Sequence, residues 1–178
     1  MKKELLDIGT WNVNTMLKAG KMQEIADQIV GSQIQTVALQ EMRWRGYGLL
    51  KRDKYSIYYS CNPNTTGQAG RGFMIQKSAT NKILGFEPFS DRICKLRVKG
   101  KFYKLTLINI YAPTADKEDE IKEQFYDELQ RTQDRVPKHD VIIIMGDMNV
   151  KIGKEKLFSQ VKGRHTLHII YLMKMEKW

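Results

Sequence analysis

Residues 140–149 read DVIIIMGDMN, an apolar run from Val141 to Met145 that breaks off at once into Gly146, Asp147 and Asn149. A short, unbroken apolar run bounded by turn residues predicts a strand buried on both faces. The residues that end it have two uses. Glycine, aspartate and asparagine terminate strands and build turns, and the same side chains hold metal ions and phosphates.

The pattern on either side places this strand in an α/β chain. Upstream, APTADKEDEIKEQFYDELQRT carries Asp116, Glu118, Asp119 and Glu120 at its start and Ile121, Phe125 and Leu129 at intervals of four. This predicts an amphipathic helix with its acids where the positive end of the helix dipole favours them. Near the N-terminus, LLDIGTWNV reads as a strand. KMQEIADQIV then sets Met22, Ile25, Ala26, Ile29 and Val30 along one helical stripe that should end at Gly31. Between the helices, TVALQE, YSIYYS, GFMIQK, ICKLRV and YKLTLINIY are rich in β-branched and aromatic residues and predict strands, while Asn62 to Gly72 reads as a connection. A β-α-β start, several strands and an α-β close imply two sheets with helices outside, in one domain.

At 178 residues the chain can bury a core of its own. It has no apolar run of the roughly 20 residues a membrane helix needs and no signal-peptide pattern at its start, so a nuclear or cytoplasmic location, not secretion or membrane insertion, is expected. Cys61 and Cys94 lack metal-type spacing and read as free thiols. Lys and Arg number 30 against 20 Asp and Glu, a net charge of +10. Such a surface suits a polyanionic partner, although a merely soluble basic surface gives the same count.

Four predicted strands end on polar residues: Asn12, Glu41, Tyr111, and Asp147 with Asn149. Strand ends that share one edge of a packed sheet are where ligands of α/β proteins commonly bind. Singly, each residue has a structural reading: Asp147, Asn12 and Asn149 as turn residues, Glu41 as the end of a buried strand, Tyr111 as a core ring reaching solvent. Together, two carboxylates, two amides and a phenol in a basic protein suit Mg²⁺-assisted cleavage of a phosphodiester. Mg²⁺ is usually held by one or two carboxylates and several waters, with neutral donors free to hold phosphate oxygens.

Five segments, GTWNVNTM, VALQEMRW, AGRGFMI, LINIYAPT and IIIMGDMN, stand in the order and at about the spacing of the endonuclease/exonuclease/phosphatase superfamily, which the chain resembles from Asp7 to about His168. In particular it resembles the apurinic-endonuclease-like domain of non-LTR retrotransposon polyproteins and the craniofacial development protein 2-like proteins derived from it. The resemblance implies a four-layer αββα sandwich with the site at one end. Glu41 would be the Mg²⁺ ligand, with Mn²⁺ as a substitute ion, and Asn12 would support both the metal and the catalytic carboxylate. Asp147 would orient or deprotonate the attacking water, and Tyr111 and Asn149 would hydrogen-bond the scissile phosphate. The expected partner is DNA, nicked to leave a 3′-hydroxyl that primes reverse transcription. Asn14 stands where many relatives carry Asp, and Thr114 where many carry Asn.

The family pattern also includes a distal Asp and a Ser-Asp-His segment that supplies a His–carboxylate pair. No Asp follows Asp147 here, and His165 and His168 in RHTLH come too early to replace that segment. Residues 1–168 are therefore expected to form a sandwich missing its last strands, with nuclease activity impaired or lost. Residues 169–178, IIYLMKMEKW, change character abruptly and read as a non-homologous tail of the kind a frameshift produces. The alternative is a non-catalytic basic module that binds nucleic acid or protein, indifferent to changes at Glu41 or Asp147.

Overall fold

The structure is a computed structural model that describes residues 7–32, 34–61 and 70–149. The two histidines at 165 and 168 and the tail at 169–178 lie outside the described residues. Strands β1 (Ile8–Asn12), β2 (Thr36–Gln40), β3 (Gly46–Lys51), β4 (Tyr55–Cys61) and β5 (Arg71–Gln76) form one sheet in the order β1-β2-β5-β4-β3. Strands β6 (Ile83–Ser90), β7 (Ile93–Lys99), β8 (Lys104–Tyr111) and β9 (Asp140–Asp147) form the second, in the order β6-β7-β8-β9. Helix α1 (Lys21–Gly31) joins the parallel pair β1 and β2, and helix α2 (Asp119–Asp134) joins the parallel pair β8 and β9.

Three apolar layers hold the stack together, and the period-2 alternation of the strands assigns each side chain to its layer. Val37 and Leu39 of β2 pack towards α1 with Ile25, Ile29 and Ile57, whereas Ala38 between them faces the other sheet. Along the opening run, Ile143 and Met145 join Phe73, Ile75, Leu96 and Leu107 between the sheets, while Ile144 meets Phe125 and Leu129 of α2. Both faces of β9 are thus covered, which is why its centre needs no polar residue. The layers run helix, sheet, sheet, helix: the αββα sandwich implied by the resemblance.

The elements absent from the sequence reading are β3, β6 and a 3₁₀ helix at Lys77–Lys82. Both strands are sheet edges. β3, GYGLLK, alternates half-buried with exposed residues, and β6 contains Gly85 and Pro88 with a register shift beside each. Proline and bulges are tolerated at an edge, so the sequence of β6 does not look like a strand. The connection placed at 62–72 is shorter than expected, because Arg71 and Gly72 already pair in β5 with Gln40 and Leu39. Ile121 is not part of the buried stripe of α2: it is 36% exposed, and Phe125, Leu129, Thr132 and Gln133 carry the contact. Both cysteines are free and buried, and no described helix is long and apolar enough to cross a membrane.

Candidate active site

The C-terminal ends of both parallel pairs lie at one pole. Asn12 is in register with Gln40, and Tyr111 with Asp147, and β9 lies across from β1 and β2 where the sheets stack. This brings the predicted strand-end residues together. The Asn12 amide nitrogen donates to Glu41 Oε1 at 2.8 Å and to Asp147 Oδ2 at 3.1 Å, and the Tyr111 hydroxyl donates to the same Glu41 Oε1 at 3.2 Å. All four are half-buried. Asn12 Oδ1 accepts the Asn14 backbone N–H at 3.0 Å, so this one amide is fixed at both ends and ties the two carboxylates to each other.

The question raised by Gly146 and Asp147 has a double answer. A Cβ at residue 146 would lie 2.0 Å from the Ile110 carbonyl oxygen, and its φ is +128°. Only glycine lets β9 lie so close to β8. Asp147 does cap a turn, since its Oδ1 accepts the Asn149 N–H at 3.1 Å, but its other oxygen faces Asn12. The Asn149 amide nitrogen donates to the Ala112 carbonyl at 2.8 Å, pinning the turn against the end of β8.

Several residues around this cluster adopt a left-handed backbone: Asn14 (φ 54°), Glu41 (φ 55°), Arg43 (φ 60°) and Asn149 (φ 45°). Asparagine tolerates this region, but Glu and Arg do not enter it without cost, of order 1–3 kcal/mol each. Glu41 is held there because its neighbours are locked. Val13 N–H bonds to the Gln40 carbonyl, Met16 N–H to that of Met42 and Met42 N–H to that of Gly70, each at 3.0 Å, and the Met42 side chain is wholly buried. The bend turns the Glu41 carboxylate from the sheet into the site.

Charge around the carboxylates is mixed. Arg43 approaches Glu41 Oε2 at 3.6 Å and donates to Asn14 Oδ1 at 3.3 Å, and Arg92 donates to the Tyr111 carbonyl at 3.4 Å. Burial, and after it the Glu41 and Asp147 carboxylates, push the Tyr111 phenol above its ordinary range, so it is a proton-bearing donor at any physiological pH. Thr114 lies just past β8, half-buried.

Residues not singled out in the sequence support this pole from below. Asn109, wholly buried in the middle of β8, accepts from Gln40 Nε2 at 2.8 Å and donates to the carbonyls of Leu39 at 3.0 Å and Gly72 at 2.8 Å, joining the sheets directly beneath Glu41. Gln40 also donates to Thr10 Oγ1 at 3.1 Å. The available signal was a lone amide inside the apolar run LTLINIY. Arg71, 1% exposed at the start of β5, donates to the Ser90 carbonyl at 3.2 Å, and burial lowers its pKa to about 10, which still leaves it charged at neutral pH. His139, the one described histidine, is exposed in a turn at the opposite pole.

The donor set suits a hard cation. Oxygen atoms of the Glu41 and Asp147 carboxylates converge on the Asn12 amide nitrogen, and no group of three or more His, Cys, Asp or Glu that could hold a metal ion occurs among the described residues, so the oxygen donors here are these two carboxylates.

Comparison with known proteins agrees with the geometry. The model of the endonuclease/exonuclease/phosphatase family matches residues 9–156, a span that contains every residue of the cluster. Craniofacial development protein 2 of Bos taurus is 35% identical over 165 residues, which is 93% of this chain and 27% of that protein. The chain therefore spans about a quarter of the curated relatives it matches. A D. rerio TDP2 complexed with single-strand DNA product superposes with a TM-score of 0.58 at 16% identity, covering 86% of this chain and 63% of that one. The endonuclease domain of TRAS1, a telomere-specific non-LTR retrotransposon, gives 0.55 at 14% identity, covering 85% and 65%. Sheet order, polar strand ends and family match converge: the chain belongs to the endonuclease/exonuclease/phosphatase family.

Proposed function

We propose that the chain is a retrotransposon-derived, Mg²⁺-dependent DNA endonuclease domain that nicks one strand and leaves a 3′-hydroxyl for reverse transcription. The observation that carries this reading is the single Asn12 amide bridging Glu41 and Asp147 while Tyr111 donates to the same glutamate oxygen. Divalent-metal use is general in the family. Glu41, assisted by Asn12, would hold Mg²⁺, which when bound supplies Lewis-acid polarisation of a phosphoryl oxygen and neutralises charge on the leaving oxygen.

The protein's own groups have separable tasks. On this reading Asp147 orients a water and accepts its proton, supported by its Oδ2 beside Asn12. Tyr111, kept protonated, and the Asn149 amide offer neutral donors to the non-bridging oxygens of a phosphodiester. Arg43 adds a cation on the Glu41 side of the site. An acid–base group at such a site typically contributes about 10²–10⁴-fold, and on this reading Asp147 is the described residue that serves as one.

The test is nicking of supercoiled plasmid by the full chain in Mg²⁺, beside Glu41→Gln, Asp147→Asn and an EDTA control. Nicking abolished by all three supports the proposal. Folded protein that never nicks, yet binds DNA with a salt-dependent affinity unaffected by those substitutions, is instead the non-catalytic binding module.

A further inference from the structure

The pole opposite the candidate active site carries its own chemistry. The β7–β8 hairpin turns through Gly100–Tyr103, closed by the Gly100 N–H to the Tyr103 carbonyl at 3.0 Å. A Cβ at residue 100 would lie 2.5 Å from that carbonyl oxygen, so the turn is tight and requires glycine. At its tip Phe102 is 81% exposed and Tyr103 65%, the former with the Lys101 ammonium 5.3 Å from its ring centre. Two adjacent aromatic rings held outward on a short turn are costly in water unless something covers them.

Lysines continue from the tip in both directions. Lys99 and Lys104, both exposed, are directly opposite in the register of β7 and β8, a like-charge pair that a hairpin would not keep for stability. The acid beside Lys104 in the next strand, Asp140, is already taken by Arg97 at 2.6 and 2.8 Å and Thr106 at 2.9 Å. Away from the hairpin, Lys82 precedes Ile83, which pairs with Val98 beside Lys99. The 3₁₀ helix carries the track back to Lys77, whose N–H bonds to the Lys54 carbonyl at 2.9 Å. None of these lysines makes an ion pair among the described residues.

We propose that this pole is a second, non-catalytic binding surface for single-stranded nucleic acid, with Phe102 and Tyr103 stacking on bases and the lysine track following the phosphates. A single strand presents both unpaired base faces and a line of charges, which a linear cationic track ending in two rings matches. A bilayer would instead favour a broad apolar tip encircled by cations, and here the apolar part is two rings and the cations lead away from them.

The experiment measures fluorescence anisotropy of a labelled oligothymidylate of about 20 nucleotides, and of the matching oligouridylate, with the full chain in EDTA at several salt concentrations. Phe102→Ala and Tyr103→Ala should each weaken binding by about fivefold or more. Phe102→Leu, which keeps the apolar bulk, should weaken it similarly. Lys99→Gln, Lys101→Gln and Lys104→Gln combined should reduce the slope of log affinity against log salt by about 2. Unchanged melting curves for these surface variants secure the comparison. Wild-type affinity and slope in all variants would overturn the proposal. So would oligonucleotide binding that is unaffected while sedimentation with phosphatidylserine vesicles is lost, which would make the pole a membrane surface.

Discussion

Replacing Asn109 by Leu tests whether the two sheets are held in register beneath the site by this one amide. The side chain is wholly buried and makes three hydrogen bonds, at 2.8 Å from Gln40, 3.0 Å to the Leu39 carbonyl and 2.8 Å to the Gly72 carbonyl. Leucine fills nearly the same volume, so no cavity term enters, and the cost is that of the polar groups left behind. At about 1 kcal/mol for each net hydrogen bond the loss is about 3 kcal/mol. For a domain of this size that corresponds to a fall in Tm of about 6–12 °C. Asn109→Asp should be worse, because a carboxylate cannot donate to two carbonyls that the asparagine amide serves. Circular-dichroism melts read both variants directly. A Tm within about 2 °C of wild type for Asn109→Leu would refute the reasoning and mean that the carbonyls of Leu39 and Gly72 are satisfied without it.

Three further outcomes follow from the same geometry. Tyr111→Phe removes a donor to Glu41 without unpacking the ring and should lower Mg²⁺-dependent plasmid nicking by about tenfold or more with little change in Tm; an unchanged rate would remove the phenol from the site. Asp140, held below the usual carboxylate range mainly by Arg97 and then by Thr106, adds stability that is present above its unfolded pKa and lost as the pH falls through its lower folded value. Asp140→Asn should cost about 2 kcal/mol, discounted because Arg97 is 34% exposed, and should flatten the acid limb of a Tm–pH curve. Burial raises the Cys94 thiol to about 12 and the Cys61 thiol to about 11, so the stability they contribute is intact below pH 9 and declines as the pH climbs towards those values. Cys94→Val should therefore shift the alkaline loss of Tm to higher pH, and an unaltered alkaline limb would count against it.

How much of this could be read in the sequence depends on what each residue must satisfy. Central elements declare themselves, because a strand covered on both faces, such as Ile143–Met145, has no alternative to apolar side chains. Edge strands carry no such demand, which is why β3 with its two glycines and β6 with Pro88 escaped notice. Ile121 misled for the opposite reason: helical spacing places a side chain on a stripe, but it does not say how far along the stripe burial extends, and in the first turn of α2 Ile121 stays 36% exposed while Phe125 and Leu129 are buried. The polar strand ends were visible as residue types. Their roles as partners were not, since the bridge from Asn12 to Asp147 joins residues 135 positions apart and depends on how the two sheets stack.

That stacking also explains why the turn-forming and site-forming readings of Gly146–Asp147 were never alternatives. A side chain that caps its own turn has one oxygen committed and its direction fixed, and at Asp147 the remaining oxygen is thereby aimed at Asn12. The strained bend at Glu41 works the same way: the hydrogen bonds that lock Met42 force the preceding residue out of the sheet and hold its carboxylate against the same amide. Local structure here is the positioning device. A substitution that relaxed either turn, such as Gly146→Ala with its Cβ driven into the Ile110 carbonyl, should disperse the carboxylates as it unfolds the end of β9. Expression of that variant as a stable protein with wild-type nicking would show that the cluster does not depend on the backbone at this turn.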